Sequence, residues 1–428
     1  MADGTAGGHA LRVLALYPWP SFWSMGEGRG AAAFFLSITS FPKRAHEMHV
    51  LLPGPPGAPA EEDYHGVRLH RLATTLDLMP ERGRSRVVQH ARILRSYAVW
   101  RASALRAGLA LADALRPDAL FGMGALGAPV ARRIAAKRGV PNVTRLFGTS
   151  LGEVVDHPVK LALRYPEIIA FRTPADAVIV CDDGSGGDDI ALRFGVPADR
   201  LVFLPDGVDK RALTAPRDRS AARRALNIPP DAGVVLSVSR LHPEKHVERL
   251  LNAAPALLAA RPDTVLLLVG DGEEGPRLRA LAAGLGVAGS AVFTGALGGD
   301  ALLDAYAASD VFVTLSDRTN VLNPLHEAMM SGLPVVALDT GRTARVVQDG
   351  ENGVLLPPAG LPGLAGLLAE LLSDGQRRRA LGAAARADAD RRLPDIEERQ
   401  SMEVEVVARV VRAAADRPGA VGHERAVR

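Results

Sequence analysis

Short uncharged apolar runs alternate along this chain with longer stretches in which apolar residues recur every three or four positions. The runs read as buried strands and the longer stretches as covering helices, a pattern that predicts parallel sheets flanked by helices. In the first half, strands are expected at 11–17, 49–52, 67–71, 119–121, 142–146, 177–181 and 201–204, with helices at 31–40, 85–115, 128–138 and 188–194. After Pro205-Asp206-Gly207-Val208-Asp209 the pattern lapses into a polar stretch, 211–230, which reads as a linker. A second alternation follows, with strands at 234–238, 265–269, 291–294, 311–315 and 335–338 and helices at 247–260, 276–285, 300–308 and 325–331. The expected architecture is α/β: two doubly wound, Rossmann-like domains, 11–210 and 231–394, facing a deep interdomain cleft.

Composition supports that frame and narrows the chemistry. A length of 428 residues exceeds one ordinary core, and 47% hydrophobic content with a mean hydropathy of +0.08 describes a globular chain. The single cysteine, Cys181, excludes a disulfide framework and sets a reduced, cytoplasmic compartment as the expectation. No long uncharged apolar run occurs, and residues 1–9 lack the basic start and apolar core of a signal peptide. Segments 1–10 and 417–428 read as disordered. A net charge of +3 argues against a nucleic-acid partner. Positive charge does gather at 82–106, with seven arginines and no acid. There Val87, Ala91, Leu94, Tyr97 or Ala98, Ala102 and Leu105 mark a basic amphipathic helix, suited to a solvated surface or to peripheral contact with anionic lipid.

Only five of the 51 basic residues are lysine, and Lys245 is the only one after Lys210. It closes Ser239-Arg240-Leu241-His242-Pro243-Glu244-Lys245, at the end of an expected strand. A planar arginine fork and a compact lysine charge together suit a diphosphate. Gly270-Asp271-Gly272 and Gly295-Ala296-Leu297-Gly298-Gly299 follow the next two strands, where glycines let backbone amides approach a ligand. Glu327 opens a later helix, placed for a ribose hydroxyl pair. In the first half, Gly26-Glu27-Gly28-Arg29-Gly30 offers Gly28 and Gly30 as substrate contacts.

These motifs, with Leu-Leu-Val-Gly-Asp-Gly at 267–272, Val-Phe-Thr-Gly at 292–295, His-Glu-Ala-Met at 326–329 and Ser-Gly-Leu-Pro-Val-Val at 331–336, resemble the retaining glycosyltransferases of family 4. The resemblance implies the GT-B fold, with the helix at 395–416 crossing back onto the first domain. It also implies that Arg240 and Lys245 act in catalysis on the donor diphosphate, Glu327 holds the ribose and backbone near Leu297 reads the base. The donor would be a nucleotide-diphosphate sugar, a UDP-sugar rather than a GDP-sugar, with no cofactor and no metal. Retention would follow from same-face attack, the departing phosphate taking the acceptor's proton. Two departures stand out. The family's first glutamate is replaced by Thr319, so that Thr319, Asn320 or Asn323 meets the sugar or donor preference differs, and its first-domain histidine is replaced by Phe121-Gly122-Met123-Gly124.

Competing signals are weaker. Gly122, Gly124 and Gly127 match a dinucleotide fingerprint formally, but lie in mid-domain without a following acid near 147. His242 and His246 flank Lys245, which opposes a metal ion, and Asp182-Asp183 and Asp188-Asp189 read as loop or capping residues. The expected acceptor is a small molecule or natural product, bound by the first domain near 145–149. The alternatives are a lipid-linked or cell-envelope acceptor reached at the membrane's inner face, or an inactive nucleotide-sugar-binding subunit.

Overall fold

The structure is a computed structural model, and it describes residues 10–18, 37–54, 59–73 and 86–417. Gly28 and Gly30, residues 82–85, most of the helix expected at 31–40 and nearly all of both expected disordered ends lie outside the described residues. The chain forms two compact units, one from Met1–Cys181, Gly187–Leu204 and Glu397–Arg428, the other from Asp182–Gly186 and Pro205–Ile396.

The first unit contains strands β1 (Arg12–Leu16), β2 (Glu47–Pro53), β3 (Glu61–Tyr64), β4 (Val67–Leu72), β5 (Ala119–Met123), β6 (Asn142–Leu146), β7 (Ala177–Asp182) and β8 (Leu201–Pro205), in spatial order β3-β4-β2-β1-β5-β6-β7-β8. The order reverses between β1 and β5, the switch point where open α/β sheets bind ligands. Strand β3, which runs antiparallel to β4, has no apolar signature because Glu61-Glu62-Asp63-Tyr64 lies at the sheet edge. Helix Gly124–Arg138 starts directly after β5 and packs so closely that a Cβ at Gly127 would lie 2.4 Å from the Leu16 carbonyl oxygen. The formal dinucleotide fingerprint is thereby accounted for by helix–strand packing.

Helix Arg86–Leu115 buries Tyr97, Trp100, Ala104 and Ala112. Leu94, expected on the inward stripe, is 40% exposed, as are Val88 (49%) and Val99 (50%). Trp100 offers the largest apolar area, and seating it rotates the helix away from the expected stripe. Helix Ile396–Ala415 joins the core of this first unit through Val404, Val406, Val407 and Val410.

The second unit holds β9 (Gly233–Val238), β10 (Thr264–Val269), β11 (Ala291–Gly295), β12 (Val311–Thr314), β13 (Val335–Leu338) and β14 (Val354–Leu356), in order β11-β10-β9-β12-β13-β14, with its switch between β9 and β12. The stretch 211–230, expected as a linker, is part of this unit. Its helix Arg219–Ala225 buries Ala222, and Arg219 and Arg223 pair with Asp310 at 2.7 and 2.9 Å. The polar look came from arginines whose carboxylate partner lies some ninety positions away, at the start of β12.

Candidate functional site

The 3-10 turn Pro243–Lys245 carries Lys245 back over the carboxyl ends of β9 and β12, where it lines one depression with Ser239, Thr314, Asn320 and Pro324. Among the described residues neither Lys245 nor Arg240 is paired with a carboxylate. Arg240 is exposed and Lys245 half-buried, and burial, then the neighbouring Arg240 charge, lowers the Lys245 ammonium below its usual pKa. A half-buried cation with no carboxylate in salt-bridge contact, at a sheet switch point, has the chemistry to hold an anion.

The turn is braced from both sides. His246 bonds Glu248 at 2.8 Å through Nδ1 and Asp317 at 2.9 Å through Nε2, while Arg249 reaches Asp317 at 2.6 Å. His242 caps the turn and lies 3.6 Å from Glu273. These histidines organise the loop, and among the described residues no cluster of three His, Cys, Asp or Glu forms a metal site. Gly270 (φ +140°) serves packing rather than ligand approach: a Cβ there would lie 1.8 Å from the Ser239 carbonyl oxygen, locking the β10 loop under the β9 loop. By contrast, a Cβ at Gly295, Gly298 or Gly299 would meet nothing within 4 Å, so that backbone is open.

Glu327 sits on helix Asn323–Met330 and accepts a 2.7 Å hydrogen bond from Tyr306. Burial raises its pKa, with the Tyr306 hydroxyl partly offsetting the shift. The side chain of Leu297 packs against the core cluster that contains Tyr306. Two ends of a site emerge, cations near β9 and β12, and a carboxylate beside Tyr306 and the open 295–299 backbone.

The three residues expected at the sugar behave differently. Asn320, at 0% exposure, spends its amide inside the protein: Oδ1 accepts from Thr314 Oγ1 (2.8 Å) and the Ser316 amide (2.9 Å), and Nδ2 donates to Ser316 O (3.2 Å), Leu338 O (2.9 Å) and Thr340 Oγ1 (3.0 Å). It shapes the loop and has no donor or acceptor left for a sugar. Thr319 donates to the Asp183 carbonyl at 2.8 Å, also within the protein. Only Asn323 keeps an unspent group, a buried Oδ1 without a partner at the start of its helix. One turn on, His326 Nδ1 is likewise buried without a partner, and burial pushes that imidazole down to about 4, so it is neutral. Sequence reading passed over His326 because a lone histidine on a helix carries no local signal.

The first unit has its own cavity of ≈ 290 Å³ at the switch point of its sheet, lined by Tyr17, Met123, Gly124, Phe147, Gly148 and Phe171. Met123 and Gly124 occupy the position where the family resemblance calls for histidine. Tyr17 meets Phe147 edge-on at 6.1 Å, and the Arg145 guanidinium lies 4.1 Å over the Phe147 ring. Glu167 is tied to Thr149 and Ser150 at 2.9 Å, leaving a mostly apolar wall.

The family Glycosyl transferases group 1 matches residues 218–388. The GDP-mannose-dependent alpha-(1-6)-phosphatidylinositol monomannoside mannosyltransferase of Mycolicibacterium smegmatis is 31% identical over 356 residues, covering 80% of this chain and 85% of that protein. The chain belongs to the group 1 glycosyltransferases. Another member of that family, the D-inositol 3-phosphate glycosyltransferase of Acidothermus cellulolyticus, is 35% identical over 204 residues, and the match spans only 45% of either protein. Sucrose-phosphate synthase from Thermosynechococcus elongatus has the same two-domain fold at a TM-score of 0.74, with 21% identity, 94% of this chain and 100% of that one aligned. As a group 1 glycosyltransferase, the chain has its cations and Glu327 inside the matched region, and its apolar cavity outside it.

The Tyr306–Glu327 pair gives a first test. Tyr306→Phe should weaken donor binding about tenfold through loss of a hydrogen bond to a charged group. Because the hydroxyl stabilises the ionised form, its loss also moves the acidic fall in affinity to higher pH. Titration calorimetry between pH 5 and 8 reads both.

Proposed function

We propose that the chain transfers a glycosyl group from a nucleoside diphosphate sugar to a hydroxyl acceptor with retention of configuration. The observation that carries this reading is the pair Arg240 and Lys245, neither in salt-bridge contact with a carboxylate among the described residues, at the switch point of the second sheet. As the glycosidic bond breaks, charge grows on the leaving phosphate, and cations that gain interaction only then lower the barrier. Lys245, half-buried and without a salt-bridge partner, fits that task, with Arg240 beside it and Glu327 on the ribose. The departing phosphate accepts the acceptor's proton, so no protein nucleophile takes part. A relative aligned over most of the chain is named GDP-mannose-dependent, which favours a GDP-sugar over the UDP-sugar read from sequence.

For the acceptor, the apolar cavity in the first unit favours an amphiphilic molecule over a small hydrophilic one. A lipid-linked acceptor is further supported by exposed Val88, Leu94 and Val99 on a helix that also exposes Arg95, Arg101 and Arg106. Among the described residues no helix is long and apolar enough to cross a membrane, so the contact would be peripheral.

The purified chain should hydrolyse or transfer from GDP-mannose or UDP-glucose, and binding without turnover would favour the inactive-subunit alternative. In low salt it should sediment with anionic vesicles and be released by high salt; indifference to vesicles would return the acceptor to a soluble small molecule.

A further inference from the structure

His246 follows directly on Lys245 with φ +49° and ψ +41°, the left-handed region that a side chain makes costly. Strain of that kind persists where surrounding contacts over-determine it, and it collects at functional sites. Here the contacts are specific. The His246 carbonyl accepts from the Arg249 amide at 3.0 Å, and its own amide donates to the Pro243 carbonyl at 3.2 Å. The residue is thus the joint between the Pro243–Lys245 turn and helix Glu248–Ala260. Its imidazole meets two carboxylates, Glu248 on that helix at 2.8 Å and Asp317 on the loop after β12 at 2.9 Å.

The far partner gives the joint its reach. Three further bonds cross the same gap: Arg249 donates to Asp317 at 2.6 Å and to the Leu315 carbonyl at 2.8 Å, and the Ser316 hydroxyl donates to the Glu244 carbonyl at 3.0 Å. Ser239 and Lys245 form one side of the depression, and Thr314, Leu315 and Asn320 the other. These bonds therefore set how far the Lys245 turn stands from the β12 loop. Two of the anchors, the Glu244 carbonyl and the His246 ring, flank Lys245 in sequence, and His246 is the one that bears backbone strain.

We propose that His246 is a positioning residue for Lys245, its imidazole anchoring the turn across to Asp317 despite the left-handed backbone this requires. The assignment rests on the donor-site reading above. Turnover and stability should separate at this position, because glycine relieves the strain while removing the anchor.

Steady-state donor hydrolysis and thermal melts of the full chain test it, with GDP-mannose and UDP-glucose on wild type, His246→Gly, His246→Asn, Lys245→Ala and the double variant His246→Gly/Lys245→Ala. Glycine adopts this backbone freely, so Tm should stay within about 3 °C of wild type. In His246→Gly, kcat should fall about tenfold with KM for the donor within about twofold, since a misplaced group costs rate before it costs affinity. Asparagine also tolerates the left-handed region but is too short to span Glu248 and Asp317, and it should repeat the loss. In the Lys245→Ala background, His246→Gly should cost no more than about a further twofold. Wild-type turnover in both His246 variants, losses that multiply with that of Lys245→Ala, or a kcat that falls only in step with Tm each overturn the assignment. A wild-type chain inactive on both donors, or Lys245→Ala with wild-type turnover, overturns the donor-site reading itself and the assignment with it.

Discussion

Replacing Lys245 by alanine should lower turnover about 10²–10³-fold, the range found when one preorganised group facing developing charge is removed. The loss should fall on kcat more than on KM, because the ammonium gains most as charge accumulates on the departing phosphate. Lys245→Arg keeps the charge but should restore little. The depression between Ser239, Thr314 and Pro324 fits a slim, half-buried chain, and a planar guanidinium cannot present its charge at the same point. Arg240→Ala should cost less, since Arg240 is exposed and its charge is screened. Steady-state kinetics with saturating donor separates the two. Equal losses at both positions, carried wholly by KM, would show a binding site without transition-state bias.

Glu403→Ala should destabilise the first unit by about 3–5 kcal/mol, the cost of breaking a buried ion pair. Glu403 is 1% exposed, accepts from Arg145 at 2.7 Å and forms an ion pair with Arg399 at 2.8 Å, with Ser37 as a further donor. Removing it takes the carboxylate from two buried guanidiniums and loosens helix Ile396–Ala415, lowering Tm by about 10 °C. Activity should fall as well, because Arg145 stacks on Phe147 at the wall of the apolar cavity. The pH dependence has a definite sign. Burial alone would raise the Glu403 pKa, but Arg145 and Arg399 outweigh it and hold the carboxyl below its usual value. Its stabilisation is therefore complete above about pH 4.3, the unfolded value, and is lost as pH falls through the folded pKa. Differential scanning calorimetry of wild type and variant from pH 3 to 7 should show the two curves converging at the acid end. Curves that stay parallel would assign Glu403 no titrating role.

The core strands of both sheets were legible because a buried parallel strand is an apolar run, written locally in five or six consecutive residues. The polar edge strand β3 and the helices within 211–230 were not, because their partners are distant. Arg223 reads as solvated until Asp310 is folded against it at 2.9 Å. The stripe on helix Arg86–Leu115 was misplaced because spacing alone does not say which apolar residues win the interior, and Trp100 outweighs Leu94.

The candidate site divides in the same way. Sequence by itself singled out Arg240, Lys245 and Glu327, because they lie in segments whose order and strand-end positions suit an anion site and a hydroxyl acceptor. Tertiary structure decided the role of each remaining polar group. Asn320 reads in sequence as a sugar contact, yet the fold surrounds its amide with Thr314, Ser316, Leu338 and Thr340. Thr319 reads as a lost glutamate, yet it spends its hydroxyl on the Asp183 carbonyl 136 positions away. A side chain's hydrogen-bonding capacity is fixed by its type, but which partner exhausts it depends on chain segments that only folding brings together.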